Sequence, residues 1–164
     1  AEALAWLVPR IPGFDAVTLL HLAHGGPLRA LELANPERLA LRGRLITGFV
    51  EVAQGHRDPL AEATTWNQAE SALLIDWLGG WISDLLRLLP GLVGTRPRLI
   101  NPDREGELRS LAARVDAGAA HHLLRRVWQA GTSDISNLNR LLLFETWLLE
   151  WARLTHPAAG PYPR

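Results

Sequence analysis

Histidines at helical spacing are the first residues of this chain that could do chemistry, by holding a metal ion. His21 and His24 are three positions apart, and on a helix this spacing places two side chains on one face. Neither a carboxylate nor a third histidine stands at ligand spacing beside them, whereas zinc sites use at least three protein ligands. His121 and His122 are adjacent and point in different directions on a helix. The histidines therefore predict no metal site.

The residue types that catalysis uses are equally sparse. The chain has no cysteine, which excludes disulfides and thiolate nucleophiles. None of its serines stands in the G-x-S-x-G turn of a hydrolase. The sequence has arginines but no lysine, so the lysine of a G-x-x-x-x-G-K-[ST] phosphate loop is missing. We therefore expect no catalytic residue, no cofactor and no enzymatic activity from this chain on its own.

Charge restricts the partners that we expect. The 17 basic and 17 acidic residues cancel, which gives no electrostatic reason for tight binding to nucleic acid or to an anionic membrane. The segment HLLRRVW joins Arg125 and Arg126 to Trp128, but this pattern is more typical of a solvated face beside a core aromatic residue. No apolar run reaches the ~18 residues that a membrane span needs. We expect a cytoplasmic protein without direct nucleic-acid or membrane contact.

Helix signals follow one another along the chain, and no run alternates with the period of a strand. Asp15 predicts the N-cap of a helix that ends before Gly25, and Pro27 suits the first turn of the next helix. Asn35 and Pro36 end that helix and begin the next one. The predicted helices after residue 35 are longer, and Asp103 is the candidate N-cap of one of them. The prediction is an all-α fold of about seven or eight helices, with a boundary near residue 35 and a flexible Pro/Gly-rich tail at 157–164.

The last predicted helix contains the most apolar stretch, NLNRLLLFETWLLEW, from Asn137 to Trp151. On a helical wheel its apolar residues cover much more than the ~100° stripe that a helix in a bundle usually presents. Glu145 lies inside that arc, where a carboxylate needs a partner because bare burial is costly. The partner is either an arginine of the same chain or a group across an interface.

A second predicted helix, SALLIDWLGGWISDLLRLL, likewise has apolar residues on several of its sides. Gly79 and Gly80 in its middle each cost roughly 1 kcal/mol relative to alanine, which favours either a bend or a close helix crossing at this point. Two helices with more apolar surface than one bundle uses suggest that the domain has a second surface to cover.

Two stretches of the sequence together resemble a known protein family. LLHLAHGGPLRALELA is similar to the lid region of AAA+ clamp-loader subunits, where a Gly-x-x-Arg turn opens the helix that carries the sensor-2 arginine. NLNRLLLFETWLLEW resembles the last collar helix of the bacterial DNA polymerase III delta-prime family, with its Asn-x-Asn-Arg start and a Glu embedded in a leucine-rich run. The helix LLIDWLGGWISDLLRL stands between them in the expected order, so the likeness spans the whole chain.

The resemblance implies a domain organisation. Residues 1–35 would be the end of an AAA+ lid domain, and residues 36–164 a collar domain that serves oligomerisation. The absence of methionine fits a piece of a longer protein, whose nucleotide-binding-like module would precede Ala1. In this family the collars of delta, delta-prime and gamma/tau subunits pack into a five-membered ring, which holds the loader together while its AAA+ modules load the sliding clamp onto primed DNA.

The resemblance also implies roles for individual residues. Arg29 matches the sensor-2 position, but delta-prime subunits do not hydrolyse ATP, so any nucleotide contact would be vestigial. The candidates for contact with the gamma/tau and delta subunits are Asn137, Asn139, Arg140, Glu145 and Trp147.

A different class of protein is the alternative. An all-α ligand-binding or dimerisation domain of a transcription regulator would use the surplus of tryptophan and leucine to line a pocket. That hypothesis predicts a pocket lined by Trp77, Trp81, Trp147 or Trp151.

Overall fold

The computed structural model describes residues 2–90, 97–132 and 139–155, and these ranges contain helices and connecting turns without a strand. The helices are α1 Glu2–Leu7, α2 Ala16–Leu22, α3 Pro27–Leu33, α4 Pro36–Ala53, α5 Pro59–Trp66, α6 Ser71–Arg87, α7 Glu105–Ala112, α8 Ala117–Thr132 and α9 Arg140–Thr155. Short 3-10 helices add Val8–Arg10 and Pro102–Arg104. The all-α prediction is confirmed, with more helices in the described ranges than the seven or eight expected. In this part of the chain no helix combines the length and the apolar character that crossing a membrane requires.

Side-chain caps fix the helix starts that the sequence predicted. The Asp15 carboxylate accepts hydrogen bonds from the backbone N–H groups of Val17 and Thr18, at 3.0 and 3.2 Å. The Asn35 side chain caps α4 in the same way. Gly25 adopts a φ of +88° in the turn after α2, a conformation in which glycine carries little steric cost. The boundaries of α2, α3 and α4 therefore follow from local chemistry.

The predicted cap at Asp103 is wrong. Helix α7 begins two residues later, and the Asp103 carboxylate instead accepts two hydrogen bonds from Arg42, at 2.8 and 3.1 Å. Arg42 is only 4% exposed, so its guanidinium needs acceptors inside the protein. A long-range demand of this kind overrides the local preference of an aspartate for a helix start.

The buried apolar residues form two separate clusters. The smaller cluster belongs to α1–α3 and the turns that join them: Leu7, Ile11, Ala16, Leu19, Leu22, Ala23, Ala30 and Leu33. The larger one runs from Leu45 to Trp151 and unites α4–α9. At its centre Phe49 and Trp151 stack with ring centroids 4.2 Å apart, and the Trp151 indole N–H donates to the Phe49 carbonyl at 2.8 Å. This hydrogen bond and ring contact join α9 to α4.

Helix α6 is continuous through its two glycines, which serve close approach rather than a bend. A Cβ added to Gly79 would lie 2.8 Å from the Trp128 indole nitrogen on α8. A Cβ on Gly80 would lie 3.4 Å from side-chain atoms of Ile100 and Asn101. The missing side chains therefore let α8 and the segment before α7 pack closely onto α6.

A buried carboxylate fixes the segment that leads into α7. Asp84 is 0% exposed and accepts hydrogen bonds from the backbone N–H groups of Ile100 and Asn101, at 2.9 and 2.7 Å. It also accepts from the Asn101 amide and from Arg87. Four donors offset the cost of burying this charge.

Candidate functional site

Helix α9 has an inner face that is sealed in the core and an outer face that is open. The inner face comprises Phe144, Trp147, Leu148 and Trp151, each at most 1% exposed. On the other side Leu142 is 58% exposed and Leu149 is 36% exposed, while Glu145 and Thr146 lie half-buried between them. Residues at i, i+3, i+4 and i+7 share one side of a helix. We call the set Leu142, Glu145, Thr146 and Leu149 the α9 outer face.

Glu145 is a half-buried carboxylate flanked by the two leucines. It makes no hydrogen bond or ion pair with any residue that the structure describes. The arginine partner that one alternative placed in the same chain is therefore missing from the described ranges. Within residues 2–90, 97–132 and 139–155, no side chain complements the Glu145 carboxylate.

The start of α9 is fixed by contacts within the chain. The Asn139 side-chain oxygen accepts from the Leu142 backbone N–H at 3.2 Å, as an N-cap does. The Arg140 guanidinium donates to the carbonyls of Ala69 and Asn67, at 2.7 and 3.2 Å. Arg140 thereby ties α9 to the turn after α5. The remaining candidate at this helix start, Asn137, lies outside the described residues.

Trp147 supports the α9 outer face from behind. It is 1% exposed, and its ring centroid lies 5.9 Å from that of Phe144. The indole therefore presents no open surface to a partner in this arrangement. Beside the outer face a groove between α8 and α9 is lined by Arg126, Asn139, Leu142, Leu143 and Thr146.

An ion pair that the sequence did not suggest closes α8 onto α9. The Arg126 guanidinium binds the Glu150 carboxylate, and His122 lies 3.5 Å from the same carboxylate. Glu150 lies one turn after Thr146 on α9 and is half-buried. The pair therefore joins α8 to α9 next to the groove that Leu142 and Thr146 line.

Arg29, the residue at the sensor-2-like position, binds a carboxylate of α6. Its guanidinium lies 2.6 Å from the Asp76 carboxylate, and His24 lies 3.6 Å from the same group. The His21 ring nitrogen Nδ1 lies 2.7 Å from the Leu99 carbonyl oxygen, to which it donates. These contacts join α2 and α3 to the larger helical body, and they give the two histidines different partners.

Helix α5 contains a buried carboxylate that the sequence pattern did not indicate. The Glu62 side chain is 0% exposed, and it accepts from the Trp66 indole N–H at 2.8 Å and from Arg57 at 2.7 Å. Burial raises the pKa of Glu62 above its ordinary value of 4.5, while the hydrogen bond from Arg57 acts in the opposite direction. The space for this carboxylate comes from Gly48 on α4, where a Cβ would lie 2.0 Å from a Glu62 oxygen.

The tryptophans that the ligand-pocket hypothesis requires are all in the core. Trp77, Trp81, Trp147 and Trp151 are between 0% and 4% exposed. Trp81 packs 5.5 Å from Phe49, centroid to centroid, within the same continuous cluster. Their apolar surface is used for packing, which removes the argument for a pocket lined by these rings.

In the part of the chain that the structure describes, fold and site define an all-α domain whose last helix is buried on one side and carries two exposed leucines on the other. Residues 36–153 match the family described as DNA polymerase III, delta subunit, C terminal, and the chain belongs to this family. It is also similar to the DNA polymerase III subunit delta' of Pseudomonas aeruginosa, with 30% identity over 96% of this chain and 49% of that protein. The chain thus spans about half the length of that curated relative. The family suggested by the helix motifs is confirmed.

Proposed function

We propose that this chain is a non-catalytic assembly module of the DNA polymerase III clamp loader, acting in the cytoplasm during DNA replication. Residues 36–164 would be the collar domain and residues 1–35 the end of an AAA+ lid. Membership of the delta-subunit family and the likeness to a delta' subunit support this role. The separation of the apolar clusters of α1–α3 and α4–α9 supports the division.

The observation that carries the proposal is the α9 outer face. Leu142 and Leu149 expose apolar surface that the chain's own core does not use. Large apolar residues near the centre of an interface contribute most when a partner covers them. Collars of gamma/tau and delta subunits are the proposed partners, and a cation of the partner would complement Glu145.

The other candidate residues support this face indirectly. Asn139 caps α9 and Arg140 anchors its first turn, so both set the direction in which the face points. Trp147 fills the core behind it. Arg29 forms an ion pair with Asp76 and so links α3 to α6. We propose no cofactor contact for it.

Light scattering after size exclusion tests the proposal. The chain is run alone and then mixed with a gamma/tau collar, and we expect a mixed complex that buries roughly 800 Å² on each partner. Leu142→Asp should abolish the complex because it places a charge at the centre of the apolar contact. Leu60→Asp is the matched control, since Leu60 is also exposed, at 45%, but lies on α5.

Two results would contradict the proposal. One is the absence of any mixed complex with either a gamma/tau or a delta collar at micromolar concentration. The other is a complex that Leu142→Asp and Leu60→Asp weaken equally, which would mean that the α9 outer face has no special part in it.

A further inference from the structure

Trp128 on α8 is exposed, where the sequence pattern indicated a core aromatic residue. All seven tryptophans of the chain lie within the described ranges. Trp128 is 56% exposed, whereas five of the others are buried at 4% exposure or less and Trp6 is half-buried. Tryptophan is enriched at interfaces and among the residues that contribute most to binding, so an exposed tryptophan on a structured helix is a candidate contact residue.

The Trp128 ring is held at one edge and free at the other. Its indole nitrogen contacts α6 at Gly79, and a Cβ there would lie only 2.8 Å away. The ring lines two grooves, one with His121, His122 and Arg125, the other with Ile75 and Gly131 among its lining residues. With 56% of its surface exposed, the indole has room for a stacking partner.

Positive charge lies on the same side of α8. His121, Arg125 and Trp128 are spaced i, i+4 and i+7 and form one exposed row, which we call the α8 stripe. Arg125 makes no hydrogen bond or ion pair with a described residue, in contrast to its neighbour Arg126, which binds Glu150. Residues 117–132 contain no acidic residue. The cation of the stripe is therefore available to an anionic partner.

One carboxylate shares a groove with the Trp128 ring, but its charge is paired. Asp76 lines the second groove together with Trp128, but its carboxylate is bound by Arg29 at 2.6 Å. The zero net charge of the chain does not exclude binding of an anionic partner to α8 either. Exposed charges more than about 10 Å apart are largely screened from each other at 0.1 M salt, so the local charge around α8 governs binding there.

We propose that the α8 stripe binds single-stranded nucleic acid. An unpaired base stacks on the indole of Trp128, and the phosphates of neighbouring nucleotides contact Arg125 and His121. Stacking on an aromatic ring beside arginine is how sequence-tolerant single-strand binding is achieved. An acidic peptide would satisfy Arg125 but would leave the flat faces of the indole without a matching group. This site lies apart from the α9 outer face and goes beyond the assembly role.

Fluorescence anisotropy with a labelled 15-nucleotide oligo-dT tests the proposal at low salt. We expect Trp128→Leu, which keeps apolar volume but removes the ring, to weaken binding at least about fivefold. Trp128→Phe should stay within about threefold of the unaltered chain because a smaller ring still stacks. Arg125→Ala should weaken binding and reduce the slope of log K against log salt by about 0.7, the share of one phosphate contact on a single strand.

The control is Arg44→Ala, which removes the same charge from another exposed arginine, on α4. It should leave the affinity and the salt slope unchanged. Circular dichroism and thermal unfolding confirm that each variant is folded before its affinity is compared. The complex with a gamma/tau collar should survive Trp128→Leu, so that this test and the assembly test fail or succeed separately.

Three outcomes would overturn the proposal. The first is no detectable binding of oligo-dT at low salt. The second is equal weakening by Arg125→Ala and Arg44→Ala, which would indicate diffuse attraction rather than a site. The third is binding of poly-glutamate that matches oligo-dT and does not depend on Trp128, which would assign the stripe to an acidic protein partner.

Discussion

Glu62 and Glu145 are both carboxylates on apolar helices, yet the chain treats them in opposite ways. Glu62 is sealed in the core and accepts hydrogen bonds from Trp66 and Arg57. Glu145 is half-buried on α9 and has no partner among the described residues. Where a charge is fully removed from water, the fold itself supplies donors, because the cost of leaving it bare is high. On the open surface around Glu145, the described part of the chain supplies no such donor.

Gly48 provides the space that the buried Glu62 carboxylate occupies. This glycine lies in the middle of α4 and is buried, although glycine inside a helix costs roughly 1 kcal/mol compared with alanine. Its missing side chain leaves the volume that the Glu62 carboxylate occupies. Among the described residues, no glycine makes room for Glu145 in this way.

We expect the largest effect from Gly48→Ala. The new Cβ would lie 2.0 Å from a Glu62 oxygen and 2.3 Å from its carboxyl carbon, so the carboxylate has to leave its site and lose both donors. The net loss of stability should be about 3 kcal/mol, after the helix-propensity gain of about 1 kcal/mol. Urea denaturation measures it. Gly43→Ala on the same helix is the control, because its nearest contact, at 3.5 Å, is ordinary, and it should be neutral or stabilising.

Glu62→Ala should cost about 2 to 3 kcal/mol, since it leaves a cavity and a buried Trp66 N–H without an acceptor. A double-mutant cycle then sharpens the contrast. In the Glu62→Ala background Gly48→Ala should lose its cost and become neutral or stabilising by up to about 1 kcal/mol. If the two losses simply added, Gly48 would not be the residue that makes room for this carboxylate.

The pH dependence of stability should reveal the burial of Glu62. Its pKa is raised by burial above the ordinary value of 4.5, so the folded chain holds a proton that the unfolded chain has already released. Folding is therefore favoured by protonation, and this contribution declines as pH rises from about 4.5 through the raised pKa. Compared with Glu62→Gln, the unaltered chain should lose stability across this window, at no more than about 1.4 kcal/mol per pH unit. A difference that stays flat or rises with pH would contradict this assignment.

The sequence predicted those features that depend on neighbours along the chain. Helix starts at Asp15 and Asn35 follow from local residue types and were confirmed. For Gly79 and Gly80 the sequence left a bend and a close helix crossing open, and the structure has the close approach at Gly79. The partners of Asp103 could not be read in this way, because they depend on which helices meet in space. Asp103 serves Arg42, a residue 61 positions away.

The candidate site was predictable only in part, for a similar reason. The periodicity of α9 showed an excess of apolar surface, and Leu142 and Leu149 carry that excess to the outside. Periodicity gives no direction in space, so it did not show that Trp147 faces inward. Nor did it reveal that Glu62 pairs with Trp66 through the pocket at Gly48, although their i, i+4 spacing was a usable signal.

The smallest expected effect is that of Glu145→Ala on the isolated chain, and it is the sharpest test of the contrast with Glu62. Glu145 has no partner among the described residues, and a carboxylate of this kind contributes little to folding. Alanine is also the better helix former, so stability should change by less than about 0.5 kcal/mol. Urea denaturation of the two alanine variants, side by side, measures the difference. A loss above about 1 kcal/mol would mean that a group of this chain pairs with Glu145 after all. A neutral effect on folding combined with weaker binding to a gamma/tau collar would locate its partner in another subunit, because only the assembled state would then contain the cation that complements it.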